Sequence, residues 1–350
     1  MSDSEHSEGI GLPAPVVKVK TFVAGEMIAC EACARANPPN RSRCLYCGNA
    51  LPGIAPAGES ISVEQTEAAA TRGTLCLSAN QLQRVDRDLL AELAALIGAK
   101  LEDLTAAVAA GGALPLLAAT DSAQEEKVAA QIRELGLEPF TIPPEDDSAD
   151  LRKIRGLVLS PRAIRPVPPA SEDPVYDWSD VVLIVIGRIV TTKIEIDEKR
   201  RRGKSKPLDA RQFSSDQLLI DLHFKDGHAW RVYQDDFDYS CLGHRKAVTG
   251  FENFGRLLDL INQRAPSLEI DKSYAKKRVL LASVWPLDEE NKNTVSFVGD
   301  RKHQQSMTTS NESQFNKYSR AAYLLKAHRD RKSTRLNSSH IPLSRMPSSA

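Results

Sequence analysis

Two cysteine pairs near the start of the chain, CEAC at positions 30–33 and CLYC at positions 44–47, decide how the N-terminal segment folds. The segment 28–51 is too short to bury a hydrophobic core, so its folding free energy must come from elsewhere. A two-residue spacer lets both sulfurs of a pair turn onto one ion, and two such pairs complete a tetrahedron. The pattern predicts a closed, structural Zn²⁺ site whose four ligands are Cys30, Cys33, Cys44 and Cys47.

The residues around the pairs are consistent with tight turns. Pro38 and Pro39 restrict the backbone of the connecting loop. Gly48 follows the second pair, where a backbone amide has to point at a thiolate, and Ala34 stands at the equivalent place after the first pair. The alternatives to a metal site are two disulfides or four free thiols. Disulfides need an oxidising compartment, and residues 1–20 contain no apolar run of signal-peptide length.

The cysteine spacing also resembles two known families. The pattern Cys-x2-Cys-x3-Asn-x6-Cys-x2-Cys, with Asn37 as its asparagine, resembles the Ran-binding-protein type of zinc finger. The amino-acid sequence of residues 30–48 is also similar to that of the short zinc ribbons at the N-termini of many bacterial proteins. Some members of the first family bind single-stranded RNA through arginines and a stacking aromatic, which implies Arg41, Arg43 and Tyr46 here. The tryptophan that this family carries two residues before the first cysteine is Ile28 in this chain.

Composition and charge limit the functional classes. The chain of 350 residues has 46 basic and 46 acidic side chains, so there is no global electrostatic case for nucleic acid or an anionic membrane. No apolar run approaches the roughly 20 residues that span a bilayer, which predicts no membrane insertion. Cys76 and Cys241 are isolated and are typical of core or surface residues. These features favour a reducing, cytoplasmic setting.

Shifts in composition divide the chain into segments and predict a multidomain α+β protein. A zinc ribbon, a small α/β docking domain and a β-rich domain with a C-terminal capping helix are its main parts. Pro, Gly, Ala, Ser and Thr dominate the segment before position 73, which is typical of a linker. The predicted segments are a flexible arm 1–27, the ribbon 28–51, a linker 52–73, a small α/β domain 75–147, a β-rich domain 151–270, an irregular extension 271–330 and a tail 331–350.

The segment 75–144 carries a mixed helix and strand pattern. Leucines at steps of three and four residues predict a helix that ends at Gly98, and a second helix over 101–110 ends at a Gly-Gly pair. Strands are predicted over 113–120 and 137–142, and Asp121 or Ser122 caps a helix between them. This helix–helix–strand–helix–strand order resembles the C-terminal domain of the bacterial ribosomal stalk protein, whose fold the Clp protease adaptor shares. The resemblance implies a small docking module without implying a partner.

The segment 151–267 is predicted to be mostly β. Candidate strands are 156–159, 163–167, 181–193, 217–223 and 229–233, and a helix is predicted over 251–264. The run 181–186 is apolar and β-branched, which predicts a buried strand. Several strands followed by one helix resemble a pleckstrin-homology-like barrel. The excursion 197–209 contains the densest basic run, 198–206, which is interpreted as a solvated loop or as a phosphate contact for RNA or lipid headgroups.

The C-terminal part gives weaker signals. Residues 279–285 are strand-like, 293–312 are polar and predicted to be loose, and 315–327 are predicted to form a helix. The stretch 331–350 resembles a translated sequencing-library adaptor, which implies that these residues do not belong to the natural chain. The alternative is a basic disordered tail.

One constellation suggests catalysis. A thiol nucleophile needs a base to lower its pKa and a carboxylate behind that base. Cys241 and His244, with Asp236 and Asp238 nearby, form the best candidate set. There is no phosphate-binding Gly-rich loop, dinucleotide fingerprint or His-Glu-x-x-His motif, and we infer no small-molecule substrate.

The sequence therefore predicts a non-catalytic, zinc-binding protein that acts through protein–protein interaction or regulation. The alternative function is single-stranded RNA binding through the zinc finger and the basic segment 198–206. A thiol enzyme built on Cys241 is a third hypothesis.

Overall fold

The chain folds into a mixed α/β structure around one large curled β-sheet, as seen in a computed structural model. The structure describes residues 18–39, 41, 44, 49–52, 73–119, 121–144, 151–167, 174–201, 204–265, 268–296 and 302–338. Most of the predicted arm 1–27, nearly all of the linker 52–73 and the end of the tail 331–350 lie outside these residues.

Within these residues the strands and helices follow in chain order. The strands are β1 (Lys18–Val23), β2 (Ile28–Ala29), β3 (Ala36–Asn37), β4 (Gly73–Ser78), β5 (Ala113–Ala119), β6 (Phe140–Ile142), β7 (Leu151–Lys153), β8 (Leu157–Leu159), β9 (Ala163–Pro166), β10 (Tyr176–Asp177), β11 (Val181–Arg201), β12 (Lys204–Phe224), β13 (Ala229–Tyr233), β14 (Glu269–Asp271), β15 (Asp288–Ser296) and β16 (Lys302–Ser310). The helices are α1 (Ala79–Leu82), α2 (Arg87–Leu96), α3 (Leu101–Ala109), α4 (Ser122–Glu134), α5 (Gly250–Arg264), α6 (Tyr274–Val284) and α7 (Glu312–Ser338).

A small α/β unit is built on the three antiparallel strands β5-β4-β6. The predicted helices and the strand β5 are confirmed, whereas the strand predicted over 137–142 is limited to β6. The Asp121 carboxylate caps α4 by accepting a hydrogen bond of 2.6 Å from the Gln124 amide, and Gly111 takes a positive φ after α3. Strand β4, at the centre of this sheet, and the short helix α1 were not predicted from the sequence.

The hairpin of β11 and β12 is the longest element of the large sheet, whose main path is β15-β16-β11-β12-β13-β7. The sequence placed the charged excursion 197–209 as a loop between two shorter strands, and this prediction is wrong. Both strands continue through it, with Asp197 paired to Asp209 and Arg201 paired to Lys204. At its base the hairpin extension is flanked by β1, which pairs with β12 up to Asp209, and by β16, which pairs with β11 up to Lys199.

Two apolar cores lie on the opposite faces of β11, as the period of two in a strand requires. Ile184 and Ile186 pack into a core with α5, whereas Leu183 and Val185 pack into a second core with α6 and α7. The prediction of a buried strand at 181–186 is therefore confirmed, and so is the helix predicted over 251–264. Seven strands, β7 to β13, precede α5, but the finer assignment to a pleckstrin-homology-like barrel is not shown.

The described residues of the segment 271–330 lie mostly in helices and strands, where the sequence predicted an irregular extension. Residues 279–285, predicted as strand-like, belong to α6 and its C-terminal cap. The buried residues Tyr274, Lys277, Leu281 and Val284 recur at helical spacing, and the strand prediction was wrong because it followed the local apolar composition. Most of the predicted loose stretch 293–312 belongs to the hairpin of β15 and β16, whereas the predicted helix 315–327 is confirmed within α7.

Helix α7 is fastened to the sheet by buried polar pairs. Arg231 binds both carboxylate oxygens of Asp221 at 2.7 and 2.8 Å, and it donates to the Asn316 side chain of α7 at 2.6 Å. The pKa of Arg231 is lowered by burial, but the charge and hydrogen bonds of Asp221 outweigh this effect and raise it. His223 contacts the Ser319 hydroxyl at 2.8 Å. Each buried charge thus has a partner, as burial requires.

The small α/β unit packs against α6 and α7. The Trp285 indole donates to the Thr74 hydroxyl at 3.1 Å, and the Lys277 ammonium donates to the Ala113 carbonyl at 2.6 Å. Lys277 also donates to the Tyr318 hydroxyl at 3.0 Å. Burial lowers the pKa of Lys277 to about 8, although the charge of Asp271 acts in the opposite direction. These contacts join the small unit to the large sheet.

Candidate metal centre

The first cysteine pair lies on a tight turn after β2. Strands β2 and β3 pair antiparallel, with Ile28 opposite Asn37. The Cys30 amide donates to the Arg35 carbonyl at 2.8 Å, and the Ala34 amide donates back to the Cys30 carbonyl at 2.8 Å. These two bonds close the loop and bring Cys33 next to Cys30. Ala34 has a φ of 56°, the left-handed conformation that its place after the pair requires.

Three of the four predicted ligands come together. The sulfurs of Cys30, Cys33 and Cys44 lie within 4.8 Å of one another, and the Cys33 and Cys44 sulfurs are 3.6 Å apart. That separation is close to the roughly 3.8 Å between two ligands of a tetrahedron whose Zn–S bonds are about 2.3 Å. It is far longer than a disulfide bond between these two sulfurs. Cys47 lies outside the described residues.

The three sulfurs sit in a small, mostly buried site. Cys30 and Cys44 are 2% and 4% exposed, and Leu51 packs against both. The Cys44 amide donates to the Asn49 carbonyl at 2.7 Å, which turns the chain back after the second pair. Buried thiols in a cluster have few other roles, and soft sulfur ligands suit a metal ion. The arrangement is a cysteine group that could hold one ion.

Asn37 supports the site in a way that the sequence did not reveal. Its side chain is fully buried, and the amide nitrogen donates to the Cys44 sulfur at 3.4 Å and to the Arg35 carbonyl at 2.9 Å. A hydrogen bond to a ligand sulfur stabilises its thiolate form and fixes its position. In the sequence, Asn37 stands out only as part of the spacing pattern. Its fixed distance from the first pair was the one available signal.

The candidate RNA residues are only partly described. Arg41 is half-buried, and burial lowers its pKa, with Glu289 on β15 acting in the opposite direction. The Arg41 guanidinium is therefore enclosed by the protein rather than fully presented to a partner. Arg43 and Tyr46 lie outside the described residues.

The candidate catalytic residues all lie in the described part of the chain. Burial, together with the nearby Asp238, raises the pKa of Cys241 to about 11, the opposite of what a thiol nucleophile needs. The Asp238 carboxylate accepts hydrogen bonds from the amide and hydroxyl of Ser240, at 3.0 and 2.6 Å. Asp236 binds the Lys153 ammonium at 2.6 Å, and His244 is exposed. Both carboxylates thus have other partners.

Comparison of the chain with protein families, with curated proteins and with solved structures found no match. No helix in the described part of the chain combines the length and the apolar character needed to cross a membrane. The cysteine group and its surroundings are therefore the basis for a functional proposal.

Proposed function

We propose that this chain is a zinc-stabilised binding protein without a catalytic site, whose ribbon 28–51 is closed by one structural Zn²⁺ ion. The three clustered sulfurs carry the proposal, and Cys47 is its fourth ligand by spacing. Four thiolates leave no open position on a tetrahedral ion, so the metal stabilises the ribbon and does not activate a substrate. Cysteines that serve as metal ligands are typical of a reducing compartment, where disulfides are rare, and this favours the cytoplasm.

The ribbon needs the ion because its own core is minimal. In the described ribbon residues, the apolar cluster around the sulfurs contains Leu51 besides the cysteines. Metal binding in such a segment supplies the folding free energy directly. Phe22, just before the ribbon, packs against Ile194 and Ile196 of the long hairpin, with Met27 beside it. A folded ribbon is thus held next to this hairpin.

Metal content of the full-length protein tests the proposal. We expect one zinc ion per chain by elemental analysis, with tenfold or greater loss of affinity in Cys33→Ser and Cys47→Ser when a chromophoric chelator competes. Cys241→Ser is the matched control, because Cys241 is also half-buried but lies in another part of the fold. A zinc-free protein whose ribbon thiols react freely, or equal zinc loss in all three variants, contradicts the proposal.

The absence of a thiol nucleophile is tested by alkylation. Because the raised pKa of Cys241 keeps it protonated at pH 7, we expect iodoacetamide to modify it more slowly than a free cysteine. Peptide mass spectrometry separates this site from the ribbon cysteines, and the protein unfolded in denaturant provides the reference rate. Faster modification in the folded than in the unfolded protein contradicts a non-catalytic Cys241.

The binding function that we propose has two candidate partner classes, another protein and single-stranded RNA. Contact with a protein is tested by crosslinking the zinc-loaded chain in cell extract and repeating the experiment with Cys33→Ser. Partners that persist unchanged without zinc would not involve the ribbon. The RNA alternative gains little support from the ribbon, since Arg41 is half-buried.

A further inference from the structure

Strands β15, β16, β11, β12 and β1 lie side by side in one part of the large sheet. We call this part, which consists of residues 191–196 of β11 and the residues paired alongside them, the ribbon-side sheet. Paired residues share a face of a sheet, and so do residues two positions apart on a strand. The register therefore places five apolar side chains on one face, namely Phe22, Ile194, Ile196, Ala210 and Met307.

The two faces of the ribbon-side sheet differ in their exposure. Each of the five apolar side chains is 4% exposed or less. On the opposite face, the paired residues Lys193 and Phe213 are exposed. At one edge of the apolar face, Phe22 packs into the cluster and Met27 lies beside it, one residue before the ribbon. The apolar face is therefore covered, and the ribbon begins at its edge.

The cover over Met307 comes from the ribbon. Met307 lies on β16, three strands away from β1, which is about 14 Å at the usual strand spacing and too far for a side chain of β1. Glu289 of β15 lies on the same face, because its partner Thr309 is two positions from Met307. Arg41 of the ribbon is close enough to Glu289 for their opposite charges to interact. The ribbon thus crosses the apolar face from Met27 at one edge to Glu289 at the other.

The sulfurs of the metal centre also differ in their exposure. Among the three described ligands, Cys30 and Cys44 are buried, whereas Cys33 is partly exposed. Oxidation of cysteine follows its accessibility, so an oxidant in solution reaches the Cys33 sulfur first. The Cys44 sulfur is 3.6 Å away, and a disulfide of about 2.05 Å between the two needs a movement of only roughly 1.5 Å. The site therefore pairs an accessible sulfur with a second sulfur that can resolve it.

We propose that the ribbon is a redox-sensitive switch, which uncovers the apolar face of the ribbon-side sheet when a peroxide oxidises Cys33 and Cys44. The Cys33 thiolate attacks one oxygen of hydrogen peroxide, the O–O bond breaks, and a sulfenic acid and a hydroxide ion form. The Cys44 thiolate then attacks the Cys33 sulfur and displaces a second hydroxide ion, which leaves a disulfide. The two sulfurs lose two electrons, the peroxide gains them, and two protons from solvent convert both hydroxide ions to water.

Loss of the ion connects this reaction to the sheet. A disulfide between Cys33 and Cys44 removes two of the four ligands, so zinc is released. Because the ion supplies the folding free energy of the ribbon, the ribbon unfolds and no longer covers Met307. Reduction of the disulfide and rebinding of zinc restore the closed state. This inference rests on the proposed zinc site and adds the way in which that site is regulated.

Treatment of the full-length, zinc-loaded protein with hydrogen peroxide tests the switch. A chromophoric chelator records zinc release, and peptide mass spectrometry records disulfides and the sulfoxide of Met307. We expect one zinc ion to be released for each Cys33–Cys44 disulfide, and dithiothreitol with added zinc to reverse the change.

Met307 reports on the cover. Its sulfoxide should form only after zinc is released, because uncovering the side chain from 4% to about 40% exposure raises its oxidation rate roughly tenfold. The same increase should appear when a strong chelator removes zinc under reducing conditions before a short peroxide pulse. Cys241→Ser is the control, because Cys241 lies in another core, and this variant should release zinc at the unchanged rate.

Zinc content before oxidation separates failure of the zinc site from failure of the switch. A protein purified without zinc contradicts both the proposed function and the switch. A zinc-loaded protein that keeps its ion in excess peroxide contradicts the switch alone. The switch is also wrong if the first disulfide joins any other pair of cysteines, or if Met307 is oxidised equally fast with and without zinc.

Discussion

Ala34 adopts a backbone conformation that an L-residue with a side chain rarely occupies, with a φ of 56° in the turn that carries the first cysteine pair. Glycine adopts this conformation without steric cost. We expect Ala34→Gly to stabilise the folded ribbon by about 1 kcal/mol, which corresponds to about fivefold tighter zinc binding. Competition against a chromophoric chelator measures this change.

Ala32→Gly provides the matched control, because Ala32 is exposed in the same turn but is not among the residues of positive φ. Glycine there only increases the freedom of the unfolded chain, so zinc affinity should be equal or weaker. If both substitutions tighten binding equally, the strain at Ala34 is not the cause.

Asn37 provides a second prediction at this scale. Asn37→Asp keeps the shape of the side chain but replaces the N–H that faces the Cys44 sulfur with a carboxylate oxygen. Loss of the hydrogen bond and repulsion between carboxylate and thiolate should weaken zinc binding by about 10- to 100-fold. Asn49→Asp adds the same charge on an exposed residue near the site and should change affinity little. Similar losses in both variants would assign the effect to charge alone.

At the residue scale, the cysteine spacing was enough to predict the clustered sulfurs, but it did not predict the hydrogen bond from Asn37 that supports them. Cys30, Cys33 and Cys44 were predicted because a two-residue spacer has few other uses, and their sulfurs do converge. The hydrogen bond from Asn37 depends on where β3 places its side chain relative to Cys44, which spacing does not determine. The fourth ligand, Cys47, stays a prediction.

Among the elements, the contact of α7 with β11 gives a clear test. Gly187 lies directly beneath the Phe315 ring, and a methyl group at Gly187 would overlap ring atoms of Phe315. We expect Gly187→Ala to destabilise the protein by about 1–3 kcal/mol, because a packed ring has little room to move. Chemical denaturation measures the free energy of unfolding. The loss should be smaller in a Phe315→Leu background.

The same substitution at Gly255 should have the opposite sign. Gly255 lies within α5, and no neighbouring atom lies within 4 Å of the Cβ that alanine would add. Alanine favours a helix over glycine by about 1 kcal/mol, so Gly255→Ala should stabilise the protein by about that amount. If both alanine substitutions destabilise the protein, contact with the Phe315 ring is not the cause of the loss in Gly187→Ala.

Helices and strands with a clear hydrophobic periodicity could be predicted from the sequence. Those that depend on pairing with strands distant in sequence could not. Helix α5 followed from its apolar spacing, and α6 was mistaken for a strand because residues 279–285 are apolar in composition. The outer parts of β11 and β12 are polar and charged, so their strand character comes from the pairing with β1 and β16. Strands β15 and β16 show the same dependence, since each pairs along its whole length.

For the whole molecule, pH should change stability through His223. Burial lowers the pKa of His223 to about 4, against an ordinary value of 6.5, with Asp221 opposing the shift and Arg231 adding to it. The histidine also faces Ser319 and stacks on Tyr323 of α7. Between pH 6.5 and 4 the unfolded chain binds a proton that the folded protein does not. Stability is thus lost as pH falls through this window, by up to about 3 kcal/mol.

Urea denaturation at pH 7 and pH 4.5 measures this loss. His223→Gln should reduce the difference between the two pH values by about 2 kcal/mol, because the titrating group is gone. His244→Gln, at an exposed position, should keep the full difference. An unchanged pH dependence in His223→Gln would mean that other groups, such as carboxylates, cause the whole loss.

The packing of the small α/β unit against the rest of the fold could not be predicted from the sequence. Thr74 and Trp285 are joined by a hydrogen bond, and Ala113 is joined to Lys277, across long stretches of chain that carry no common periodicity. Pattern reasoning describes each segment by itself, so it gave no sign that the predicted docking domain packs on α6 and α7. A buried lysine also cannot be recognised before its partners are known.

The covering of the second core by α7 affects how a new chain is made. On the ribosome, β11 to β13 emerge well before α7, because Tyr233 precedes Glu312 by several other elements. At ordinary synthesis rates, roughly five seconds or more pass before α7 can cover the sheet face that includes Leu183 and Val185. During that time the nascent protein exposes a hydrophobic, strand-rich surface of the kind that chaperones recognise.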